Sequence, residues 1–182
     1  GSSVYLPLVN NGEVTIGVNN ALDIGSAVRG SPPFRKKLSK LSVLARVWII
    51  PYGMMVKNSS SIKSIGDVRG KKFITDVTTV VSLGRLNRLY LASAGMTTKD
   101  VIAVKSGGVV KNVNMLVEGR VDAAPIGLGM PQVRKAHATV PGGIRFIGLG
   151  PKATDEFIMN WSPGAYGYVG KPSKNRPYIT KP

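Results

Sequence analysis

Residues 115–131 read Met-Leu-Val-Glu-Gly-Arg-Val-Asp-Ala-Ala-Pro-Ile-Gly-Leu-Gly-Met-Pro. The pattern predicts a helix end (Met115–Glu118), a stop at Gly119, a short apolar strand (Val121–Ile126) and a glycine-rich loop. Glycine takes the left-handed conformation that ends helices at little steric cost. The same sentence occurs earlier, where Leu8-Val9-Asn10-Asn11-Gly12-Glu13 leads into Val14-Thr15-Ile16-Gly17-Val18 and then the polar pair Asn19-Asn20. Two helix–Gly–strand joints imply two similar α/β lobes, each with a loop at the carboxyl end of a strand. Ligands of open α/β sheets sit at that edge.

The order of elements extends this reading. A helix is expected over Ser3–Asn10, with Val4 and Leu8 inward and Pro7 tolerable only in the first turn. Strand Val14–Val18 and a helix over about Ala21–Val28 follow. The apolar run from Leu41 to Val56, broken at Pro51-Tyr52-Gly53, predicts strands Ser42–Ile49 and Gly53–Lys57. From Phe73 the chain alternates. Strand Phe73–Thr75, helix Thr78–Ala94, strand Val101–Val104 and helix Val109–Glu118 precede the strand of residues 121–126. Helix Gln132–Ala138 and strand Ile144–Leu149 come after it. Such alternation argues for mostly parallel sheets flanked by helices. Beyond Gly150, prolines 163, 172, 177 and 182 punctuate a segment without clear period. The expected division is therefore 1–56 (a partial first lobe and the lobe connection), 57–150 (a second α/β lobe) and 151–182 (an irregular return toward the first lobe).

Charge narrows the partners. Lys and Arg number 25 against 9 Asp and Glu, a formal +16, which draws polyanions, anionic surfaces or small acids. The basic residues are dispersed, and the one dense run, Arg29–Lys40, reads as a solvated loop. It lacks the aromatic interleaving of nucleic-acid binders, so no specific nucleic acid is expected. The 182 residues contain no cysteine, which removes disulfides, thiolate catalysis and Cys-ligated metal. No Gly-x-Ser-x-Gly elbow, phosphate-binding loop or metal-spaced His or carboxylate pair is present. The single histidine, His137, reads as helix surface. No catalytic residue, metal or cofactor is expected.

Three segments resemble a known family. They are Ile62-Lys-Ser-Ile-Gly-Asp-Val-Arg-Gly-Lys-Lys72, Leu91-Ala-Ser-Ala-Gly-Met-Thr97 and Glu118-Gly-Arg-Val-Asp-Ala-Ala124. Their order and spacing resemble the TAXI-type solute receptors of TRAP transporters, which have the two-lobe periplasmic binding protein-like fold, type II. Gly1-Ser2-Ser3 with Leu8–Glu13 is similar to that family's first-lobe segment, although Thr15 stands where an acid is usual. The resemblance covers most of residues 1–150 and thins from 151 to 182. It implies an incomplete first lobe, with a strand and helix expected before Gly1 and a return to that lobe after Pro182. It also implies a periplasmic or extracytoplasmic receptor that closes on a small anionic solute, a carboxylate or amino acid, and delivers it to membrane permease subunits. The effector-binding domain of a transcription regulator, which shares the architecture, is the alternative. An enzyme of this fold, such as a late tetrapyrrole-pathway transferase, would need a reactive cysteine.

A closed cleft must replace the water that an anion loses with fixed donors. Candidate loops are Ser2-Ser3, Asn19-Asn20, Thr78-Thr79 and the run Pro125, Ile126, Gly127 and Gly129, with Trp48 as a wall near the lobe connection. Each polar member could equally be an ordinary helix cap. Asp76 is read as the cap of the helix beginning near Thr78. Arg85 and Arg134 are read as solvated.

Overall fold

The computed structural model describes residues 2–179; of Ser2 only the backbone is described. Five strands and their flanking helices build the main body. β1 (Tyr52–Lys57), β2 (Lys72–Val77), β3 (Ile102–Ser106), β4 (Ala124–Gly127) and β5 (Ile144–Ile147) alternate with α3 (Val81–Ser93), α4 (Val109–Val117) and α5 (Pro131–Thr139). Before them come α1 (Ser2–Asn11) and α2 (Ala21–Arg29), and after them α6 (Asp155–Trp161).

β1 sits between β4 and β5 and is antiparallel to both, with Tyr52 opposite Gly127 and Lys57 opposite Ile144. β2 and β3 pair in parallel. A single parallel bridge, Phe73 to Ala123, joins this pair to the chain entering β4. Four strands therefore run one way and β1 runs the other, which gives the mostly parallel sheet expected from the sequence.

Successive side chains of a strand point to opposite faces, and the two cores follow that rule except at Val77, which the register shift between Ile74 and Asp76 turns to the side of Ile74. Met55, Ile74, Val77, Ala124 and Ile126 pack with Val113, Met115 and Leu116 of α4 and with Val133 and Ala136 of α5. Met54, Val56, Phe73, Ala123 and Ile147 pack on the other face with Tyr90 and Leu91 of α3 and with Ile62, Ile65 and Val68. Helices cover both sides. The turn after β1 is drawn onto β5 by Arg145. Its guanidinium donates to the carbonyls of Lys57 (3.0 Å), Asn58 (2.8 Å), Ser60 (3.0 Å) and Ile62.

Both glycine stops are realised, Gly12 at φ 81° and Gly119 at φ 73°. Only the second leads into a strand. Residues 14–18 and 42–50 form no ladder, contrary to the predicted strands Val14–Val18 and Ser42–Ile49. A strand exists by pairing, and no described residue offers these segments an edge. Their side chains stay out in consequence, as Ile16 and Val18 (66% exposed each) and Leu44 (80%) show. What organises residues 2–41 is a small separate core of Leu6, Ala27, Phe34 and Leu38. Phe34 and Leu38 belong to the basic run, so that run is only partly solvated. Val4, expected inward, is exposed, and Leu6 takes its place. Pro7 lies inside α1, not in its first turn. The tail also holds a helix that periodicity missed. α6 is capped by Thr154, whose hydroxyl accepts from the Phe157 N–H at 3.1 Å, and is anchored by Trp161 Nε1 donating to the Arg85 carbonyl.

Hydrogen exchange should separate these regions. Amides of β1, paired on both sides and buried, should be among the slowest, and those of residues 14–18 and 42–50 near the unprotected limit. Slow exchange across Val14–Val18 would show a ladder that this fold lacks.

Candidate functional site

β3, β2 and β4 lie side by side and point the same way, so the loops after them share one edge. These loops are Thr78–Val80, Gly107–Gly108 and Leu128–Met130, leading into α3, α4 and α5. They are tied together by buried polar groups. The Thr78 N–H and hydroxyl both donate to the Ser106 carbonyl, at 2.9 and 3.2 Å. The Ser106 hydroxyl donates to Asn112 Oδ1, and Asn112 Nδ2 donates to the Pro125 carbonyl at 2.9 Å. Asn112 is fully buried, and at 0% exposure an amide without partners would be costly. A Cβ placed on Gly108 would sit 3.4 Å from Thr79 Oγ1, so the first two loops are in contact.

The helix starts at this edge share an unusual property. α3, α4 and α5 begin at Val80, Gly108 and Met130, none of which provides a side-chain cap, and none of the three has an acid in its first turn. Elsewhere the chain caps with side chains. Asn20 accepts from the Asp23 N–H at the start of α2, and Thr154 caps α6; both helices carry first-turn acids. A helix start leaves N–H groups unpaired and carries partial positive charge. Three such starts without cap or acid stand on one edge, and helix starts of this kind attract anions.

A hollow of about 300 Å³ opens here, lined by Asp76, Val77, Thr78, Val81 and Lys105. Asp76 does not cap α3, as the sequence suggested. It lies in β2, bound by Arg88 at 2.6 Å and by the Thr75 hydroxyl at 2.9 Å. Partial burial pushes its carboxyl up. The hydrogen bonds from Arg88 and Thr75 and the charges of Arg88 and Lys105 outweigh that, and the group sits below the usual carboxylate range. The carboxylate is already neutralised by Arg88, so it does not bar an anion. Gly84 makes this possible, because a Cβ there would lie 2.9 Å from Asp76 Oδ1.

The other candidates fall as follows. Thr78 and Thr79 are exposed at the edge, and the Thr79 hydroxyl makes no hydrogen bond among the described residues. Gly127 ends β4 opposite Tyr52, and Gly129 is exposed in the loop beyond. Pro125 and Ile126 are buried strand residues; Pro125 contributes its carbonyl to Asn112 and Ile126 its side chain to the core. Asn20 is the cap of α2 and also donates to Asp23 at 2.7 Å. Asn19 Oδ1 accepts from the Asn20 N–H, while its Nδ2 is buried without a partner. Ser3 is half-buried in α1, and Ser2 opens that helix with its side chain outside the described residues. Trp48 is 58% exposed and makes no ring contact or hydrogen bond among the described residues. The structure thus brings together Thr78, Thr79 and Gly127–Gly129, and adds Lys105, Ser106, Gly108 and Asn112. Asn112 had a readable signal: an amide on the helix face that also carries Val113 and Leu116.

The sheet with one reversed strand, flanked by helices, is the α/β fold of periplasmic solute-binding proteins. It aligns with the alkanesulfonate-binding protein of Xanthomonas axonopodis pv. citri bound to MOPS, at 18% identity and TM-score 0.53, over 83% of this chain and 48% of that one. A putative sulfonate ABC transporter's periplasmic sulfonate-binding protein from Methylobacillus flagellatus KT aligns at 19% and 0.50, over 80% and 40%. The chain spans less than half the length of each. It belongs to the NMT1-like family, whose pattern it matches over residues 1–163. No curated protein matches the chain.

Asn112→Ala should destabilise the protein by about 2–4 kcal/mol, since it orphans the Ser106 hydroxyl and the Pro125 carbonyl, and each buried orphan costs about 1–3 kcal/mol. Urea denaturation checks this. A loss under about 0.5 kcal/mol would mean that the loops are held by other contacts.

Proposed function

We propose that the chain forms the solute-binding body of an extracytoplasmic receptor, of the TAXI type serving a TRAP transporter, that captures a small anion and hands it to a membrane permease. The single observation that carries this is the edge where α3, α4 and α5 all begin without side-chain cap or acid. Membership of the NMT1-like family supports the receptor class. The periplasmic location of the solved relatives supports an extracytoplasmic setting. The three sequence segments described above support the TAXI assignment over other transporter classes.

In this reading the body of β1 to β5 and their helices supplies half of a cleft. The chain before β1, with Ser2, Ser3, Asn19 and Trp48, belongs to the opposing lobe, and residues 151–182 return toward it. The solute is a carboxylate or amino acid whose oxygens accept from the Thr79 hydroxyl and from the N–H groups of residues 79, 81, 82, 108–110, 129 and 132. Lys105 stands at the mouth. The ligand shifts an open–closed equilibrium by its greater affinity for the closed form, and no chemical step is involved.

A thermal-shift panel of carboxylates, amino acids, alkanesulfonates, sugars and polyamines on the full-length gene product tests the proposal. An anionic or zwitterionic member should raise the melting temperature by linkage. Thr79→Ala should weaken its binding by about 1.5–3 kcal/mol, the range for a hydrogen bond to a charged group, which is roughly ten- to 150-fold. Stabilisation by sugars or polyamines alone, or an unaltered response in Thr79→Ala, would contradict it.

A further inference from the structure

A second hollow of about 300 Å³ lies away from the strand-end edge, between α5 and the turn at residues 173–178. Its walls are Arg134, His137, Ala138, Lys174, Asn175, Pro177 and Tyr178. We propose that it is a separate site for a small oxyanion such as a phosphate, sulfonate or carboxylate, held by Arg134, His137 and Lys174 against the wall of Pro177 and Tyr178.

Position comes first. Arg134 and His137 are three residues apart on α5 and so share a face of that helix. His137 lies about 9 Å along the axis from Pro131, at a rise of about 1.5 Å per residue, in the last turn and next to the start of β5. The hollow shares no lining residue with the one at the strand-end edge.

Its walls are fixed by groups unrelated to surface charge. Tyr178 is 1% exposed, and its hydroxyl donates to the Leu128 carbonyl at 2.7 Å. Its ring meets His137 edge-on at 5.9 Å and Phe146 at 5.7 Å. The turn before it is closed by the Arg176 N–H donating to the Ser173 carbonyl at 2.9 Å. Lys174 and Asn175 are thus carried on a turn that Tyr178 anchors to the body. The imidazole is aimed as well. Nδ1 faces the backbone of Ile144, 3.3 Å from its nitrogen and 3.1 Å from its oxygen, and Nε2 is the ring nitrogen left for a ligand. The sequence had placed His137 on open helix surface; the structure makes it half-buried and oriented.

Charge supplies the ligand class. No carboxylate of a described residue lines the hollow. The ion pairs among the described residues are Arg69–Asp100, Arg88–Asp76 and Arg120–Glu118, and none reaches it. Arg134, Lys174 and Asn175 have no side-chain hydrogen bond among the described residues. Donors without acceptors, lining one concave surface, match a ligand made of acceptors. The volume is at the small end for ligand sites, and Pro177 and Ala138 leave room for no more than a short apolar group beside the charged head.

His137 is the only histidine in the chain, so its ring Cε1–H resonance is a unique reporter. The chain is titrated with sodium phosphate, methanesulfonate and acetate in separate series, at constant pH and at ionic strength held with sodium chloride. At least one series should shift the resonance saturably. In Arg134→Ala/Lys174→Ala the apparent affinity should fall at least tenfold, and in Arg134→Gln alone severalfold, with the remaining amide spectrum of both variants unchanged. Thr79→Ala, at the other hollow, should leave the His137 titration as in the parent. Shifts that rise linearly in every series, or a saturable shift that the double variant retains, would overturn the proposal. So would a shift that disappears in Thr79→Ala, because the resonance would then be reporting the strand-end edge from a distance.

Discussion

The reversed strand β1 is the member on which the rest of the body depends. Met54, Met55 and Val56 are all fully buried, yet they serve different cores, Met55 on the α4 and α5 side and Met54 and Val56 on the α3 side. Burying side chains of this size is worth about 1.5–3 kcal/mol each, so one short strand fastens both layers of helices to the sheet. Its direction matters as much. Because β1 is antiparallel to β4 and to β5, those two run with β2 and β3, and the loops leading into the helices gather at one edge. β1 also begins at that edge, where Tyr52 pairs with Gly127. The chain from residues 2–50 is thereby attached beside the strand-end loops, where an opposing wall has to hang.

Given that frame, a polar chain and an omission make the site. Thr78, Ser106, Asn112 and Pro125 link the loops after β2 and β3 to β4 through hydrogen bonds, and those among Ser106, Asn112 and Pro125 are shielded from water. The omission is the absence of caps and acids at the starts of α3, α4 and α5. Capping a helix with a side chain is worth about 1 kcal/mol, and the chain takes that stabilisation at α2 and α6 but leaves three adjacent helices without it. In the proposed reading a ligand supplies the acceptors that these helix starts lack. Asp76, the acid nearest this edge, is held by Arg88 and so does not repel such a ligand.

What could be read from the sequence follows from what is local. From Phe73 to Ile147 each strand and helix was placed to within a few residues, helped by stops such as Gly95 and Gly119. The two copies of the helix–Gly–strand sentence show where that stops. Gly12 and Gly119 adopt the same left-handed turn, but Val14–Val18 has no neighbour to pair with while Ala124–Gly127 has β1. Pairing is a property of the partner, and the segment's own alternation cannot report it. Asp76 was misread for the same reason: a cap lies within three residues, whereas Arg88 is a full three helical turns away in sequence. Asn112 and the orientation of His137 also depend on distant backbone, Pro125 in one case and Ile144 in the other. Thr78, Thr79 and Gly127–Gly129 were legible because the carboxyl ends of strands are. The candidates in residues 2–48 were legible only as polar or aromatic residues near predicted turns, and for Asn20 the structure shows a capping role.

The central claim is that the uncapped starts of α3, α4 and α5 act together as one anion receptacle. It is tested most directly by mapping backbone amide shifts of the chain during titration with the anion that stabilises it. The account predicts that amides of residues 79, 81, 82, 108–110, 129 and 132 move in concert along one saturation curve, and that the capped starts of α2 and α6 stay still. Largest shifts at Ala21–Asp23 or Asp155–Phe157, or separate saturation of the three loops, would contradict it.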